Sequence, residues 1–172
     1  MNRVIELLDA SHDRTGFDCG SAPLNRCLQQ VARQHNERGV ARTFVLVETA
    51  AQPPKPILGF FSLSACEVTG DTLPSTMAKK LPRAIPAARL GRLAVAKSLQ
   101  GQKLGSVLLF AALRKIALSA DTIGIAALFV DAKDAAAAGY YQRFGFVPLP
   151  EQPLTLVLPI RTLLETAAAL DA

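Results

Sequence analysis

A glycine-containing turn between a predicted strand and a predicted helix constrains this chain most. Residues 92–106 have the sequence RLAVAKSLQGQKLGS, and apolar periodicity predicts a helix from Gly105 to about Ser119. In that order, backbone N–H groups and the positive end of a helix dipole converge on one point. Glycine at positions 101 and 105 lets the backbone approach phosphate oxygens, because glycine has no Cβ. The segment predicts a pyrophosphate-binding loop, although an ordinary strand-to-helix turn has the same pattern.

A second motif, AGYYQRFGF at residues 138–146, predicts the end of a helix closed by Gly145 before a short strand. Together the two motifs resemble the GNAT acyltransferases, which use acetyl-coenzyme A. From Gln100 to Gly105 the turn resembles that family's pyrophosphate loop, Gln/Arg-x-x-Gly-x-Gly/Ala, and the second motif resembles its aromatic-Tyr-x-x-x-Gly-Phe element. The chain departs from the family at Lys103, where the family has its inner glycine, and a lysine beside a pyrophosphate adds a favourable charge.

The resemblance extends over nearly the whole chain and narrows to one GNAT branch. It is carried by GFDCGSAPLN at 16–25, ARTFV at 41–45, LGRLAV at 90–95 and VDAKD at 130–134. This branch comprises the toxins of bacterial toxin–antitoxin pairs, which acetylate the α-amino group of aminoacyl-tRNA and so block translation. Their antitoxins are ribbon-helix-helix proteins, so the resemblance implies a partner of that kind, and it leaves room for a homodimer.

The resemblance also implies a fold and a cofactor site. The fold is the α/β (α+β) GNAT fold, a mixed central sheet of about six to seven strands with a splay at the central strand and about four flanking helices. We expect one acetyltransferase domain over 1–172. The splay frees backbone groups of Leu93, Ala94 and Val95 for the pantetheine arm of acetyl-CoA. The residues expected around the pyrophosphate are Gln100, Gly101, Gln102, Lys103, Leu104, Gly105 and Ser106.

Tyr141 is the candidate general acid and also a cofactor-binding residue, because it aligns with the family's hydroxyl-bearing tyrosine. Tyr140 aligns with the preceding aromatic residue, which packs inward. A phenol with a pKa of ~10 stays protonated at neutral pH and can donate to a coenzyme A thiolate. Without the cofactor motif, the two tyrosines would equally suit an aromatic pair packed on one helix face.

No general base stands out. Glu48 and Glu67 lie on predicted strands that could border a substrate cleft, but each equally suits a solvated strand edge. A free α-amine has a reference pKa near 8 and is partly neutral at physiological pH, whereas a lysine amine near 10.4 needs active deprotonation. The weak evidence for a base therefore favours an α-amino substrate.

The charge pattern indicates a polyanionic partner. Between Asp71 and Asp121 there are nine Lys or Arg and no acidic residue, and the whole chain has a net charge of +5. The phosphates of coenzyme A would use only some of these cations. We predict tRNA contacts at Lys79, Lys80, Arg83, Arg89 and Arg92, although a solvated basic surface would have the same composition. Aromatic residues make up only 6% and Trp is absent, so phosphate contacts should outweigh base stacking.

Composition excludes several other classes. Half of the 172 residues are hydrophobic and 19% are charged, which excludes a disordered chain and suits one domain. No apolar run is long enough to cross a membrane, and the N-terminus lacks a signal-peptide core. Cys19, Cys27 and Cys66 form no Cys-x-x-Cys pair, and the two histidines are far apart. We therefore expect a reduced, cytoplasmic protein with no disulfide framework, no metal site and no membrane partner.

The order of predicted elements supports one α/β domain. After a first strand at 4–8, Ser21 and Pro23 should open a helix to about Asn36. Its buried face should comprise Leu24, Leu28, Val31 and Ala32. The later elements are antiparallel strands at 43–48 and 57–68, a Pro-containing basic connector with one short helix at 72–88, the central strand at 89–96, the helix after the loop, a strand at 125–130, a helix N-capped by Asp134, and a final strand at 154–158.

Two other functions remain open at this level. One is a GNAT enzyme for a small amine, an antibiotic or a protein N-terminus, in which the basic residues would be incidental. The other is a non-enzymatic coenzyme A-binding or regulatory module, or a protein that acts mainly by binding its antitoxin on DNA. A retained Tyr141 argues against an inactive enzyme.

Overall fold

A computed structural model of the chain describes residues 2–172. The strands are β1 (Arg3–Leu7), β2 (His12–Asp13), β3 (Arg42–Glu48), β4 (Lys55–Pro56), β5 (Gly59–Thr69), β6 (Ala84–Val95), β7 (Ala127–Asp131), β8 (Val147–Pro148) and β9 (Thr155–Pro159). The α-helices are α1 (Ala22–Arg26), α2 (Ala32–Glu37), α3 (Ser75–Ala78), α4 (Leu104–Ala120), α5 (Ala135–Gln142) and α6 (Ile160–Asp171). A π-helical segment, Cys27–Val31, joins α1 to α2, and 3₁₀ turns occupy Gly70–Thr72 and Lys97–Leu99.

Seven strands form one mixed sheet in the order β1-β3-β5-β6-β7-β9-β8. The pairs β1/β3, β3/β5, β7/β9 and β8/β9 are antiparallel, whereas β6 pairs with β7 in parallel. The short strands β2 and β4 form a separate parallel pair. This architecture confirms the predicted mixed sheet and α/β class.

The chain folds into two compact units. The first combines the residues up to Ser64 with Gly91–Ala112, and the second combines Ala65–Leu90 with Leu113–Ala172. The core of the first unit includes Leu8, Phe17, Leu28, Val45, Val47, Ile57, Phe60 and Ala94. The core of the second includes Leu73, Ile85, Ala87, Ala127, Phe129, Leu149 and Val157. Because each unit is built from distant segments, each depends on non-local packing.

The predicted helix at 21–36 is present, but its buried face is partly wrong. Leu28 and Ala32 are buried as predicted and Leu24 is partly buried, whereas Val31 is exposed. The cause is the π-helical segment, where the N–H of Ala32 bonds the carbonyl of Cys27 instead of a residue four positions back. The extra residue in that turn rotates Val31 away from the core. Ser21 occupies the N-cap, but the Asn25 N–H bonds its backbone carbonyl rather than its hydroxyl.

The central strand starts earlier than predicted, at Ala84 instead of Arg89. Pro82 and Pro86 favoured an irregular connector over this stretch. Pro86 is tolerated in β6 because pairing with β7 begins only at Ala88, so its missing N–H removes no bond from that ladder. The short helix expected in the connector is α3.

Two elements are absent from the sequence prediction. The first is the β2/β4 pair, whose strands have two residues each. The second is α6, which follows the predicted final strand directly and buries Leu163 and Ala167, four positions apart on one face. Other predicted features are confirmed: the Asp134 carboxylate accepts the Ala137 N–H at 2.8 Å, and Gly145 has φ of +95° just after α5.

Candidate functional site

The loop from Gln100 to Ser106 joins β6 to α4 in the first unit. After β6 ends at Val95, a 3₁₀ turn leads into the loop, and α4 begins at Leu104. Gly101 and Lys103 both have left-handed backbone, with φ of +81° and +63°. Residues 101–103 are all exposed, whereas Leu104 is buried and anchors the start of the helix. The loop thus presents backbone to solvent at the positive end of a 17-residue helix, an arrangement that can bind an anion.

The Gln100 side chain fixes this loop through hydrogen bonds to backbone carbonyls of the first unit. Its amide Nε2 donates to the carbonyl of Cys19 at 2.8 Å and to the carbonyl of Val95 at 3.0 Å. The Lys97 N–H donates to the Asp18 carbonyl at 2.8 Å, so the backbone carbonyls of residues 18–19 hold both ends of this segment in place. The sequence does not predict these hydrogen bonds, because no local pattern relates Gln100 to residues some eighty positions earlier. Gln100 therefore acts on the loop by fixing its shape.

Leu93, Ala94 and Val95 form the end of β6 that leads into this loop. The ladder between β6 and β7 ends at the pair Leu90–Val130, whereas β6 itself continues to Val95. Ala94 is buried, and its carbonyl lies so close to Gly59 of β5 that a Cβ there would come within 2.9 Å of the oxygen. Glycine at position 59 is thus required by close backbone approach.

Tyr141 lies on α5 in the second unit and is 7% exposed. Its ring makes edge contacts with Tyr140 and Phe146, at centroid distances of 5.5 and 5.6 Å. Burial, with a smaller contribution from Tyr140, raises the pKa of Tyr141 to about 12. The hydroxyl therefore holds its proton throughout the physiological range, and that proton is available for donation.

The two tyrosines of α5 differ in how deeply they are packed. Tyr140 is half-buried, its ring contacts Phe144 at 5.1 Å, and the Arg143 guanidinium lies 5.3 Å from its centroid. Tyr141 is the more buried of the two. Tyr140 thus packs inward only in part, because α5 turns position 141 toward Phe146 while the Tyr140 ring lies against Phe144 and Arg143.

The predicted basic residues differ in their surroundings. Lys79, Lys80 and Arg83 are exposed in the second unit. Arg92 belongs to the first unit and is exposed, and its guanidinium donates to the carbonyl of the adjacent Gly91. Arg89 instead donates to the Asp131 carboxylate at 2.6 Å and lies over the Phe129 ring at 5.8 Å.

Asp131 makes a second contact that extends this ion pair. The Thr155 hydroxyl donates to its other carboxylate oxygen at 2.9 Å, so residues of β6, β7 and β9 meet at one point of the sheet. Cys66 of β5 lies in the same group, where burial raises the pKa of its thiol against the opposing effect of Arg89. The sequence pattern did not predict this network, although Asp131 lies in the VDAKD segment that carries the family resemblance.

The two candidate bases have different environments. Glu48, at the end of β3, is half-buried, and its carboxylate accepts a hydrogen bond from Nε of Arg3 at 3.2 Å. Glu67 lies on β5 and is exposed. Neither environment distinguishes a base from an ordinary strand-edge charge.

A further titratable cluster lies in the first unit. The buried His12 ring places Nε2 2.9 Å from Glu6 and accepts the Asp9 N–H at Nδ1, while Lys55 donates to Glu6 at 2.8 Å. Hydrogen bonds from Lys55 and His12 lower the pKa of the Glu6 carboxyl. These contacts tie β1 to the small β2/β4 pair. Over residues 2–172, no three His, Cys, Asp or Glu side chains are grouped to hold a metal ion, and no helix is long and apolar enough to cross a membrane.

Comparison with known proteins narrows the interpretation. A family model described as an acetyltransferase (GNAT) domain matches residues 78–155. A probable toxin TacT of Sinorhizobium fredii is 30% identical over 171 residues, which cover 94% of this chain and 93% of that protein. A tRNA-acetylating toxin of Mycobacterium tuberculosis is 32% identical over 146 residues, 85% of each chain.

Solved structures give the same picture. A tyrosine-to-phenylalanine mutant of KacT superposes with a TM-score of 0.88 at 32% identity, over 96% of this chain and 99% of that one. AtaT in complex with acetyl-methionyl-tRNAfMet superposes with a TM-score of 0.87 at 31% identity, over 99% and 100%. A mutant AtaT toxin bound to acetyl-CoA and the C-terminus of the antitoxin AtaR gives a TM-score of 0.80 at 29% identity, over 94% and 95%.

Proposed function

This chain belongs to the GNAT acetyltransferases, in the branch that contains the tRNA-acetylating toxins, and from that premise we propose that it transfers an acetyl group from acetyl-CoA to the α-amino group of an aminoacyl-tRNA, thereby blocking translation. The proposal rests on one observation: this chain is similar over nearly its whole length to AtaT, whose solved structure holds acetyl-methionyl-tRNAfMet. Two features of this chain also support the reaction, the loop at the start of α4 and the buried Tyr141.

We assign the binding of acetyl-CoA to two consecutive segments of the first unit. Leu93, Ala94 and Val95 lie beyond the end of the β6/β7 ladder, so their backbone groups suit the amides of the pantetheine arm. The backbone N–H groups from Gln100 to Ser106 suit the pyrophosphate, because the α4 dipole adds to their partial charge. Bound there, acetyl-CoA supplies the activated thioester.

Tyr141 acts as the general acid in this proposal. Because its pKa is about 12, the hydroxyl is protonated at neutral pH, and it donates that proton to the departing thiolate. The attacking α-amine has a reference pKa near 8, so a useful fraction is already neutral without a base. Neither Glu48 nor Glu67 is needed for the reaction.

We propose that the basic residues hold the tRNA backbone. The exposed side chains of Lys79, Lys80, Arg83 and Arg92 suit phosphate contacts. Arg89 contributes less to tRNA binding in this proposal. One nitrogen of its guanidinium donates to Asp131, so only the remaining N–H groups can reach a phosphate.

The proposal extends to partners and location. We propose that the chain acts as a single domain over 1–172, forms a homodimer, and is inhibited by a ribbon-helix-helix antitoxin. The solved AtaT complex with antitoxin AtaR supports the antitoxin. We place the protein in the cytoplasm, where its charged-tRNA substrate is used.

The experiment has two parts. Acetyl-CoA should raise the melting temperature, because a ligand that binds only the folded state stabilises it by mass action. The purified protein should also acetylate charged tRNA. Replacing Gly105 with Phe should abolish the thermal shift while the far-UV circular dichroism stays that of the folded wild type. If millimolar acetyl-CoA produces neither binding nor a shift in the wild type, the proposed function is wrong.

A further inference from the structure

A turn at residues 18–20, just before α1, contacts the segment that leads into the loop at 100–106. Its backbone carbonyls make the contacts: that of Asp18 accepts the Lys97 N–H, and that of Cys19 accepts Nε2 of Gln100, both at 2.8 Å. Lys97 and Gln100 lie at the two ends of the short stretch between β6 and the exposed part of the loop. The orientation of two consecutive peptide groups therefore decides where the loop begins.

The N–H side of each of these peptide groups is also bonded. The peptide between Asp18 and Cys19 donates its N–H to Oδ1 of Asn25 at 2.9 Å. The peptide between Cys19 and Gly20 donates its N–H to the Asp18 carboxylate at 2.8 Å, and Nδ2 of Asn25 donates to the same carboxylate oxygen at 2.9 Å. Asn25 thus holds one peptide group directly and the other through Asp18.

The core of the first unit fixes the position of this turn but not its peptide orientation. Phe17 and Cys19 are buried in that core, and the Phe17 ring meets Phe60 edge-on at 5.5 Å. Asp18, between them, is exposed. Hydrogen bonds from Gly20 and Asn25 lower the pKa of the Asp18 carboxyl, so it stays an ionised acceptor at neutral pH. Packing therefore locates the turn, and the Asn25 amide sets how its carbonyls point.

We propose that Asn25 is a positioning residue for acetyl-CoA binding, because its side chain orients the two peptide groups that hold Lys97 and Gln100 at the start of the loop. The inference rests on the proposed function, which assigns the cofactor to this loop. Asn25 acts through the loop and not by touching the cofactor. Without its amide the two peptide groups can rotate, so binding has to order a loop that the wild type presents already ordered.

Asn25→Ala should raise Kd and KM for acetyl-CoA about tenfold, since both bonds that order the turn are lost. The kcat at saturating acetyl-CoA and the KM for charged tRNA should stay those of the wild type. Asn36→Ala is the matched control. Asn36 also bridges two backbone groups of the first unit, accepting the Thr43 N–H at 2.8 Å and donating to the Leu8 carbonyl at 3.3 Å. Because it is buried, its loss should lower the melting temperature at least as much, while acetyl-CoA affinity stays unchanged.

A double variant tests the path through the loop. Gln100→Met removes the Nε2 donor at nearly constant size, and the residue is exposed, so the variant should fold. Because Asn25 and Gln100 hold the same turn, the combined loss of acetyl-CoA affinity should be clearly smaller than the product of the two single losses. Single losses that multiply would show that Asn25 does not act through Gln100, and the inference would be wrong.

Isothermal titration with acetyl-CoA gives the remaining decisive results. Wild-type affinity in folded Asn25→Ala, or equal losses in Asn25→Ala and Asn36→Ala, would overturn the inference. If Asn25→Ala does not fold, Asn25→Asp gives the same comparison, because it keeps the size and the acceptor but sets a second carboxylate against Asp18. Unchanged affinity in that variant would equally overturn it. A wild type that binds no acetyl-CoA would instead overturn the proposed function.

Discussion

The guanidinium of Arg89 lies 2.6 Å from the carboxylate of Asp131, joining β6 to β7 beside their three-residue ladder. The side chains are 32% and 53% exposed, so solvent screens part of their attraction. Arg89 also covers the Phe129 ring, which adds packing to the charge. Of the basic residues predicted for tRNA, Arg89 therefore has a structural role that the exposed lysines lack.

We expect Arg89→Ala to destabilise the protein by about 1 kcal/mol, the usual upper range for a partly exposed ion pair with some packing. Urea unfolding of Arg89→Ala, Asp131→Asn and the double variant, beside the wild type, gives the coupling energy of the pair. Equal stabilities of all four proteins would show that the contact contributes nothing to folding.

Replacing Lys79, Lys80 and Arg83 together with Ala should weaken tRNA binding and flatten its dependence on salt. Each lost phosphate contact lowers the slope of the log–log plot by about one. Affinity for acetyl-CoA should persist, because the proposed pyrophosphate site is built from other residues. The measurement is acetylation of charged tRNA across a salt series beside acetylation of a small α-amino ester.

The two acceptors distinguish the proposed substrate from the alternative. Loss on tRNA with retention on the ester supports docking of a polyanion by these three residues. Unchanged activity on both acceptors would make the segment an ordinary solvated surface and favour an enzyme for small amines.

Tyr141→Phe removes one hydroxyl and almost no volume, so the fold and the acetyl-CoA affinity should survive. Turnover should fall by ~10²–10⁴-fold, the range expected for a lost general acid. Growth arrest on expression should accompany the wild type and be absent with the Phe variant. A variant that acetylates tRNA at nearly the wild-type rate would assign the proton to water or another group.

The raised pKa of Tyr141 also predicts a change of stability at alkaline pH. The folded-state pKa of about 12 exceeds the ordinary value of 10.0, so between these values the folded protein holds a proton that the unfolded chain has released. The stabilisation is complete below pH 10 and is lost as pH rises through 12, a change of about 2–3 kcal/mol. Tyr141→Phe should lack this loss, so the stability difference between the two proteins, measured by urea unfolding, should change only above pH 10.

Two glycines near Tyr141 should respond oppositely to alanine. Gly145 has φ of +95°, and a Cβ there would lie 3.4 Å from side-chain atoms of Leu158 and Thr162. Gly145→Ala should cost about 1–2 kcal/mol, because the left-handed conformation penalises any Cβ. Gly139 lies inside α5 with no atom within 4 Å of its Cβ position, so Gly139→Ala should stabilise by about 0.5–1 kcal/mol. Thermal unfolding checks both, and a destabilised Gly139→Ala would show that α5 is packed more tightly there.

Local sequence determined the parts of this molecule whose causes lie within a few residues. The loop and α4 follow from the glycines and the apolar period after Gln100, and the start of α5 follows from the Asp134 cap. The family resemblance added the roles of Tyr141 and the loop residues, which remain proposals. The start of β6 could not be predicted from its prolines, because the cost of a proline depends on which strand edge it meets.

Tertiary structure alone decided which side chains serve as partners. The bond from Gln100 to Cys19, the pairing of Arg89 with Asp131 and the burial of Tyr141 beside Phe146 all join residues whose proximity depends on strand register and helix rotation. The left-handed backbone of Lys103 belongs to the same class, since its sequence position identifies a replaced glycine but not whether the loop keeps the glycine's conformation. Local propensity acts over one or two turns, whereas these contacts are fixed by the packing of the whole sheet.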